Sequence, residues 1–282
     1  MAGNMIAAYY SKGCDSRELL KDLKIAKDAS FEKYLNKLNV IKLDLNAEYM
    51  MAKNKSRFID IMSESVKAEL SEQFGIPFSP DDSLASSLLK VYAKTGETFV
   101  IIIDEYDVLV REKVPAAMFK SYLSFLNGLF KNADLSPAIS LAYLTGILPI
   151  VRDKIQSKLN LFTEYSMTDA GRLAEFVGFT AEETKALCEE YGMDYDECRR
   201  WYDGYDMGDF KEIFSPRSVV SAMERKRFGS YWTQTGSYEA LKLYILMNFE
   251  GMKDDVVTMI GGGKVDVNVY KYLNTMTDFH SK

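Results

Sequence analysis

The chain carries its strongest structural signal in the segment Thr98-Phe99-Val100-Ile101-Ile102-Ile103-Asp104-Glu105. A continuous apolar run rich in β-branched residues is typical of a strand that is covered on both faces, as in a parallel sheet. The run ends abruptly in two carboxylates. The sequence therefore predicts a buried strand whose carboxyl end presents a pair of acids.

Elements of the same kind lie on both sides of this strand. Residues 39–45 and 139–144 are predicted strands, and a further short strand is predicted over 162–167. Apolar residues at helical spacing predict helices over 1–10, 55–74, 79–96 and 118–130. Alternating strands and helices predict an α/β fold with a parallel sheet, flanked by helices and built from right-handed crossovers.

The pattern changes after residue 180. Thr180-Ala181-Glu182-Glu183 is a capping box that opens a helix ending near Gly192. Asp194 is placed to cap a second helix, and Ser215-Pro216 to start a third. This region is predicted to be a small helical lid. Three glycines at 261–263, followed by alternating valines, indicate a late strand or hairpin.

Composition excludes several classes of function. A formal net charge of -6 argues against broad attraction to nucleic acid or to anionic membranes. No segment fits a signal peptide or a membrane span, so we expect a cytoplasmic protein. The single histidine, His280, excludes histidine-dependent triads and histidine-rich metal sites, and three scattered cysteines favour reduced structural thiols. Any catalysis must use carboxylates, hydroxyls, lysine or arginine.

The run Val100-Ile101-Ile102-Ile103-Asp104-Glu105 has the form of a Walker B strand. In that arrangement Asp104 binds Mg²⁺ through water, and Glu105 orients or deprotonates the water that attacks a terminal phosphate. Thr145 follows the next predicted strand. P-loop ATPases with an inserted strand between the two Walker motifs carry a polar sensor residue there, near the γ-phosphate. The alternatives are a solvated acidic turn for the acids and a turn or cap residue for Thr145. Arg152 is read as a phosphate or partner contact, or as a solvent-exposed residue.

Several blocks resemble the AAA-ATPase-like family, and together they cover nearly the whole chain. They are Ile103-Asp104-Glu105-Tyr106-Asp107, Leu144-Thr145-Gly146-Ile147-Leu148, Gly178-Phe179-Thr180, Trp201-Tyr202-Asp203-Gly204-Tyr205, Ser215-Pro216-Arg217-Ser218-Val219 and Tyr231-Trp232. The resemblance implies a P-loop fold with an additional strand between the Walker motifs, a helical lid, and ATP and Mg²⁺ as ligands. It also implies, in many members, a C-terminal nuclease-like domain of the PD-(D/E)xK type, and it is compatible with a homo-oligomer.

The chain departs from the family pattern at the phosphate-binding loop. Family members carry a glycine-lysine loop immediately before the helix that corresponds to residues 1–10, but no G-x-x-x-x-G-K-[ST] sequence occurs here. We therefore expect an incomplete P-loop NTPase. Residues 1–170 would form the α/β core without its first strand and Walker A loop. Residues 171–240 would form the lid, and 241–282 the start of a linker or C-terminal region.

Two functions follow as hypotheses. The first is ATP binding and hydrolysis by ancestry, impaired in this chain because the Walker A loop is absent. The second is a non-catalytic interaction or regulatory module that retains the ATPase fold and uses the aromatic residues Trp201, Tyr202 and Tyr205. Those aromatic side chains are themselves predicted to serve core and turn packing, because aromatics dominate burial and Asp203-Gly204 suits a turn.

Overall fold

A computed structural model describes residues 2–112, 114–147, 162–166, 169–202, 204–208, 210–231, 252–261 and 263–266. The described chain divides into two compact units, with the boundary in the sequence between Thr163 and Glu164. Each unit has its own hydrophobic core. Among the described helices, none combines the length and the apolar composition that a bilayer crossing needs.

The first unit contains a three-stranded parallel sheet in the order β1-β2-β3. The strands are β1 (Asn39–Asp44), β2 (Phe99–Asp104) and β3 (Ile139–Leu144). β2 lies in the middle, and its residues from Phe99 to Ile103 are at most 1% exposed, which explains their unbroken apolar run. Asp44 of β1 pairs in register with Asp104 of β2. The carboxyl ends of these strands therefore lie at the same edge of the sheet.

Helices flank the sheet, as the sequence predicts. They are α1 (Ala2–Tyr10), α2 (Arg17–Leu20), α3 (Phe31–Tyr34), α4 (Leu45–Met51), α5 (Phe58–Phe74), α6 (Leu84–Thr95), α7 (Val108–Arg111) and α8 (Ala116–Phe130). Short 3-10 turns lie at Lys24–Lys27, Lys55–Arg57 and Ser136–Ala138.

The two faces of the sheet pack against different helices. Ile101 and Ile103 join a large core with apolar residues of α5, α6 and α8. Side chains alternate along a strand, so Ile102 points to the other face. There α1 lies against it, since a Cβ added to Gly3 would be 3.2 Å from Ile102 Cγ2. The helix that opens the chain therefore packs directly on the central strand.

The predicted helix start at residues 79–81 is wrong. α6 begins at Leu84, and Ser83 caps it, because the Ser83 side chain accepts a hydrogen bond from the Ser86 N–H at 3.1 Å. Residues 79–82 form a turn instead, in which Asp82 accepts from the Ser79 N–H at 2.7 Å. The local hydrogen bond to Asp82 holds these residues outside the helix.

The predicted strand over 162–167 is also not found, since its described residues, 162–166, contain no strand. Phe162 instead packs against Phe130 at the end of α8, with ring centroids 5.0 Å apart. Its apolar character reflects this aromatic contact, which sequence periodicity cannot distinguish from a place in a sheet.

The second unit consists of helices and one small hairpin. Its elements are a 3-10 turn (Gly171–Phe176), α9 (Ala181–Tyr191), α10 (Tyr195–Tyr202), β4 (Tyr205–Met207), β5 (Phe210–Ile213), α11 (Pro216–Arg225) and α12 (Met252–Ile260). The capping box is confirmed: the Glu183 N–H donates to Thr180 Oγ1 at 3.2 Å, and the Thr180 N–H donates to Glu183 Oε2 at 3.1 Å. Asp194 caps α10 through the Glu197 N–H at 2.6 Å, as predicted.

The antiparallel hairpin of β4 and β5 was not predicted, because its strands have only three and four residues. The late strand predicted after the three glycines is not found within the described residues 263–266, and the remainder of that prediction lies outside the described residues.

Candidate functional site

Asp104 and Thr145 meet at the carboxyl ends of β2 and β3. Thr145 Oγ1 donates a hydrogen bond to Asp104 Oδ1, and the Thr145 N–H donates to the Ile103 carbonyl at 2.9 Å. Ligands of open α/β sheets bind outside the carboxyl ends of the strands. The structure thus brings Asp104 and Thr145, both singled out from the sequence, together at the edge where such ligands bind.

Glu105 adopts an unusual backbone conformation immediately after β2. Its φ is +53°, in the left-handed region that costs a non-glycine residue about 1–2 kcal/mol. Thr145 maintains this turn, because its Oγ1 accepts from the Glu105 N–H at 3.4 Å and its carbonyl accepts from the Tyr106 N–H at 2.9 Å. Backbone strain of this kind is concentrated at functional sites.

Arg111 and Asp107 join the site, and the sequence analysis missed both. Arg111 on α7 forms an ion pair with Glu105, and its Nε lies 3.5 Å from Asp107 Oδ2. Asp107 is fully buried and accepts a hydrogen bond from the Ile147 N–H at 3.1 Å. The spacing of Asp107 and Arg111, four residues apart, is the sequence signal that would have indicated their pairing.

The loop after β3 rests directly on the turn after β2. A Cβ added to Gly146 would lie 2.6 Å from Tyr106 Cε1 and 2.9 Å from Asp107 Oδ1. On the other side of this turn, the buried Tyr122 of α8 donates to the Tyr106 carbonyl at 2.7 Å. Burial raises the pKa of Tyr122 well above its usual value, so the hydroxyl keeps the proton that it donates. The turn is fixed from both sides.

The first turn of α1 reaches the same edge of the sheet. A Cβ added to Gly3 would lie 4.0 Å from Asp104 Oδ2 and 3.9 Å from Lys42 Cε. The beginning of a helix carries partial positive charge and unpaired backbone N–H groups.

Tyr143 of β3 is a further neighbour of Asp104. Burial first, and then the charge of Asp104, raise the pKa of the Tyr143 hydroxyl. Lys42 and Tyr143 were also missed, because each lies within an apolar strand.

A divalent cation at this edge would rely mainly on Asp104. Within the described ranges, no three acidic, histidine or cysteine side chains are grouped so that they could hold a metal ion. Mg²⁺ keeps several water ligands and is commonly bound through one or two carboxylates together with phosphate oxygens. One carboxylate oriented by a threonine hydroxyl therefore fits Mg²⁺ that is shared with a phosphate ligand.

The three-stranded parallel sheet flanked by helices is consistent with a P-loop-like fold. The chain belongs to the AAA-ATPase-like family, since the model of that family, described as predicted AAA-ATPase, matches residues 1–156. The family model thereby confirms the resemblance over residues 1–156, which include the first two of the sequence blocks.

One curated relative is an uncharacterised protein in the vnfD 5′ region of Azotobacter chroococcum mcd 1. It is 26% identical over 154 residues, which cover 52% of this chain and 29% of the relative. The matched part therefore spans less than one third of that relative's length. No solved structure is significantly similar to the chain.

The aromatic residues of the second unit are divided between core and surface. Tyr202 is buried, as predicted, but Trp201 is 50% and Tyr205 57% exposed, so the packing interpretation is wrong for these two. Position 204 requires a glycine, because a Cβ there would lie 1.6 Å from the Ile213 carbonyl oxygen. Arg152 lies outside the described residues.

Proposed function

We propose that this chain supplies the metal side of an ATP site. In this proposal Asp104 holds Mg²⁺ through water, Glu105 orients or deprotonates the attacking water, and Thr145 contacts the γ-phosphate. The observation that carries the proposal is the hydrogen bond from Thr145 to Asp104, made where α1 begins. The family membership supports nucleotide and Mg²⁺ as the class of ligand.

Each neighbouring group has a distinct task in this scheme. Bound Mg²⁺ would neutralise charge on the phosphates. Without nucleotide, the Thr145 hydroxyl donates its single proton to Asp104 and so orients the carboxylate, in the way that outer groups orient metal ligands; contact with the γ-phosphate would require the hydroxyl to donate there instead. The N–H groups at the start of α1 add positive charge at the edge where phosphate oxygens would lie, and the Lys42 side chain reaches the same turn of the helix.

We further propose that these 282 residues by themselves bind ATP weakly and hydrolyse it slowly. Backbone amides and the lysine of a G-x-x-x-x-G-K-[ST] loop supply much of the grip on the β- and γ-phosphates, and this sequence contains no such loop. A carboxylate without a bound metal repels the phosphates.

A non-catalytic interaction module is the second candidate, and one observation favours it. Trp201 is 50% and Tyr205 57% exposed, and the two residues lie close in sequence on the second unit. Exposed aromatic side chains are over-represented among the residues that dominate protein interfaces. This role would use the second unit and would not require nucleotide.

Calorimetric titration of the full chain with ATP, with and without Mg²⁺, distinguishes the two candidates. Asp104→Asn is the test variant, and Asp81→Asn, which changes an exposed acid in the loop before α6, is its matched control. Magnesium-dependent binding that is lost only in Asp104→Asn supports the ATP site. Binding that survives Asp104→Asn contradicts the assigned role of Asp104. At protein and ATP concentrations high enough to detect weak association, absence of binding in all three proteins favours the interaction module.

The resemblance also carries proposals about location and partners. We propose a cytoplasmic protein that acts as a homo-oligomer or together with a nuclease-like domain, whereas the net charge of -6 does not favour direct binding of nucleic acid by this chain. Sedimentation velocity on the purified chain tests self-association: a single species at the monomer mass across concentrations would remove the homo-oligomer.

A further inference from the structure

We propose that Arg111 restrains Glu105 and that the buried Asp107 holds Arg111 in place for this purpose. The inference rests on the proposed function, because it concerns how Glu105 becomes available at the Asp104 site. In the restrained state, the Glu105 carboxylate is committed to the guanidinium. It then neither ligates a cation nor accepts a proton from water.

The geometry gives Arg111 two partners of different character. Its terminal nitrogen pairs with Glu105 Oε2, and its Nε faces Asp107 Oδ2 at 3.5 Å. The Glu105 side chain is 42% exposed, whereas that of Asp107 is fully buried. One partner is therefore open to solvent and exchangeable, and the other is fixed in the protein interior.

Asp107 is held independently of Arg111. The Ile147 N–H donates to its carboxylate at 3.1 Å, and the lack of a side chain at Gly146 allows this close approach. When the Arg111–Glu105 pair opens, Asp107 keeps the guanidinium near the site. Among the described residues, Arg111 Nε has no hydrogen-bond partner, so the 3.5 Å ion pair with Asp107 retains the cation while leaving it able to move.

The left-handed backbone at Glu105 places its side chain within reach of α7. Along a regular strand, the residue after Asp104 would point to the opposite face of the sheet from Asp104. The positive φ of Glu105 interrupts this alternation, and the ion pair with Arg111 forms from the altered position. The turn and the ion pair thus act on the same side chain.

Competition between negative charges for Arg111 would release Glu105. Opposite charges at contact distance neutralise each other locally, so the paired Glu105 contributes little attraction for a cation at Asp104. A phosphate group entering the site carries negative charge that competes for the Arg111 guanidinium. Glu105 would then be freed at the moment when a ligand with phosphate is present.

Binding of Mn²⁺, measured by electron paramagnetic resonance on the full chain without nucleotide, tests the restraint directly. The Mn²⁺ binding that is lost in Asp104→Asn is the binding at the proposed site. The binding that remains in this variant measures other acids on the surface and is subtracted. Arg111→Gln should tighten this binding about fivefold, the factor that corresponds to an exposed ion pair. Arg111→Lys, which keeps the charge, should remain close to the wild type.

The double variant separates a specific restraint from a general field. Removal of the Arg111 charge raises cation affinity somewhat in any background, so if Arg111 acts through Glu105, the gain from Arg111→Gln is clearly smaller in the Glu105→Gln background than in the wild type. Unchanged Mn²⁺ affinity in Arg111→Gln, or an equal gain in both backgrounds, overturns the proposal. Glu105→Gln alone gives a second criterion that does not depend on the folding of Arg111→Gln. It removes one negative charge and should weaken Mn²⁺ binding only slightly, whereas a loss as large as that in Asp104→Asn would show that Glu105 already ligates the cation.

These outcomes are distinguishable from failure of the proposed function. The calorimetric ATP titration decides nucleotide binding, whereas the Mn²⁺ experiment contains no nucleotide. Magnesium-dependent ATP binding without a gain in Arg111→Gln rejects the restraint alone. A gain in Arg111→Gln without any ATP binding supports the restraint and rejects the ATP site.

Discussion

Thr145 Oγ1 donates a hydrogen bond to Asp104 Oδ1, joining two residues that are 41 positions apart in the sequence. The same hydroxyl accepts the Glu105 N–H at 3.4 Å, so Thr145 contacts both acids of the pair. Thr145, in the loop after β3, thereby orients the Asp104 carboxylate proposed to bind Mg²⁺ and supports the turn that positions Glu105, the proposed base.

Thr145→Val should destabilise the chain by about 1–2 kcal/mol, because Asp104 loses a charge-assisted hydrogen bond and the Glu105 N–H loses its acceptor. Thr145→Ser keeps the hydroxyl and serves as the control, with a smaller loss expected. Urea denaturation followed by circular dichroism measures the difference. Equal stability of the valine and serine variants would show that the hydroxyl contributes nothing.

Gly146→Ala should cost about 1–3 kcal/mol, since the new methyl group would overlap the Tyr106 ring and the buried Asp107 carboxylate. Gly13→Ala is the matched control, because the nearest atom to its new methyl group would be Ser11 Oγ at an ordinary 3.6 Å. The control should change the free energy of unfolding by less than about 0.5 kcal/mol. Comparable losses in both variants would contradict the close packing at Gly146.

Glu105→Gly should be more stable than Glu105→Ala by about 1 kcal/mol, because glycine adopts a positive φ without the steric cost that alanine bears. Both variants lack the ion pair with Arg111, so the comparison isolates the backbone. Thermal or urea unfolding of the two proteins provides the measurement. If alanine were the more stable residue here, the turn would not be left-handed in solution.

The three cysteines should differ sharply in reactivity. Cys14 is exposed, whereas burial, and then the neighbouring Cys188, raises the pKa of Cys198 to about 12. The thiolate is the nucleophile, so iodoacetamide at pH 8.5 should label Cys14 alone in the native chain and all three cysteines in guanidinium. Cys14→Ser is the control and should remain unlabelled when folded.

The same thiol predicts a loss of stability at high pH. Its folded pKa is raised, so the native state keeps a proton that the unfolded chain, with a thiol pKa of about 8.5, releases. The contribution is complete below the unfolded value and disappears as the pH rises toward about 12. Cys198→Ala should reduce this slope of the unfolding free energy against pH. An unchanged slope would exclude Cys198 as its source.

The sequence predicts the sheet well because the signals are local. β2 and β3 appear as apolar runs with clear ends, and Thr180 and Asp194 mark helix starts through hydrogen bonds to nearby residues. The start of α6 was misplaced for a related reason, since several residues before Leu84 are suitable caps and only the turn around Asp82 decides among them.

The site could be predicted only in part. Asp104 and Thr145 follow strands, and the ends of parallel strands meet at one edge, so their proximity is implied by the fold. The roles of Arg111 and Asp107 depend on burial and on a left-handed turn at Glu105, which no apolar pattern encodes. The exposure of Trp201 likewise depends on which face of α10 packs inward.

The left-handed turn at Glu105 can lose its steric cost through a single nucleotide change. Every glutamate codon becomes a glycine codon by one nucleotide change, and glycine would relieve the steric cost at this position. A relaxed turn without an acid is therefore a single mutational step away. Glutamate at position 105 therefore places a carboxylate after β2 at a steric cost of about 1–2 kcal/mol that glycine would not bear.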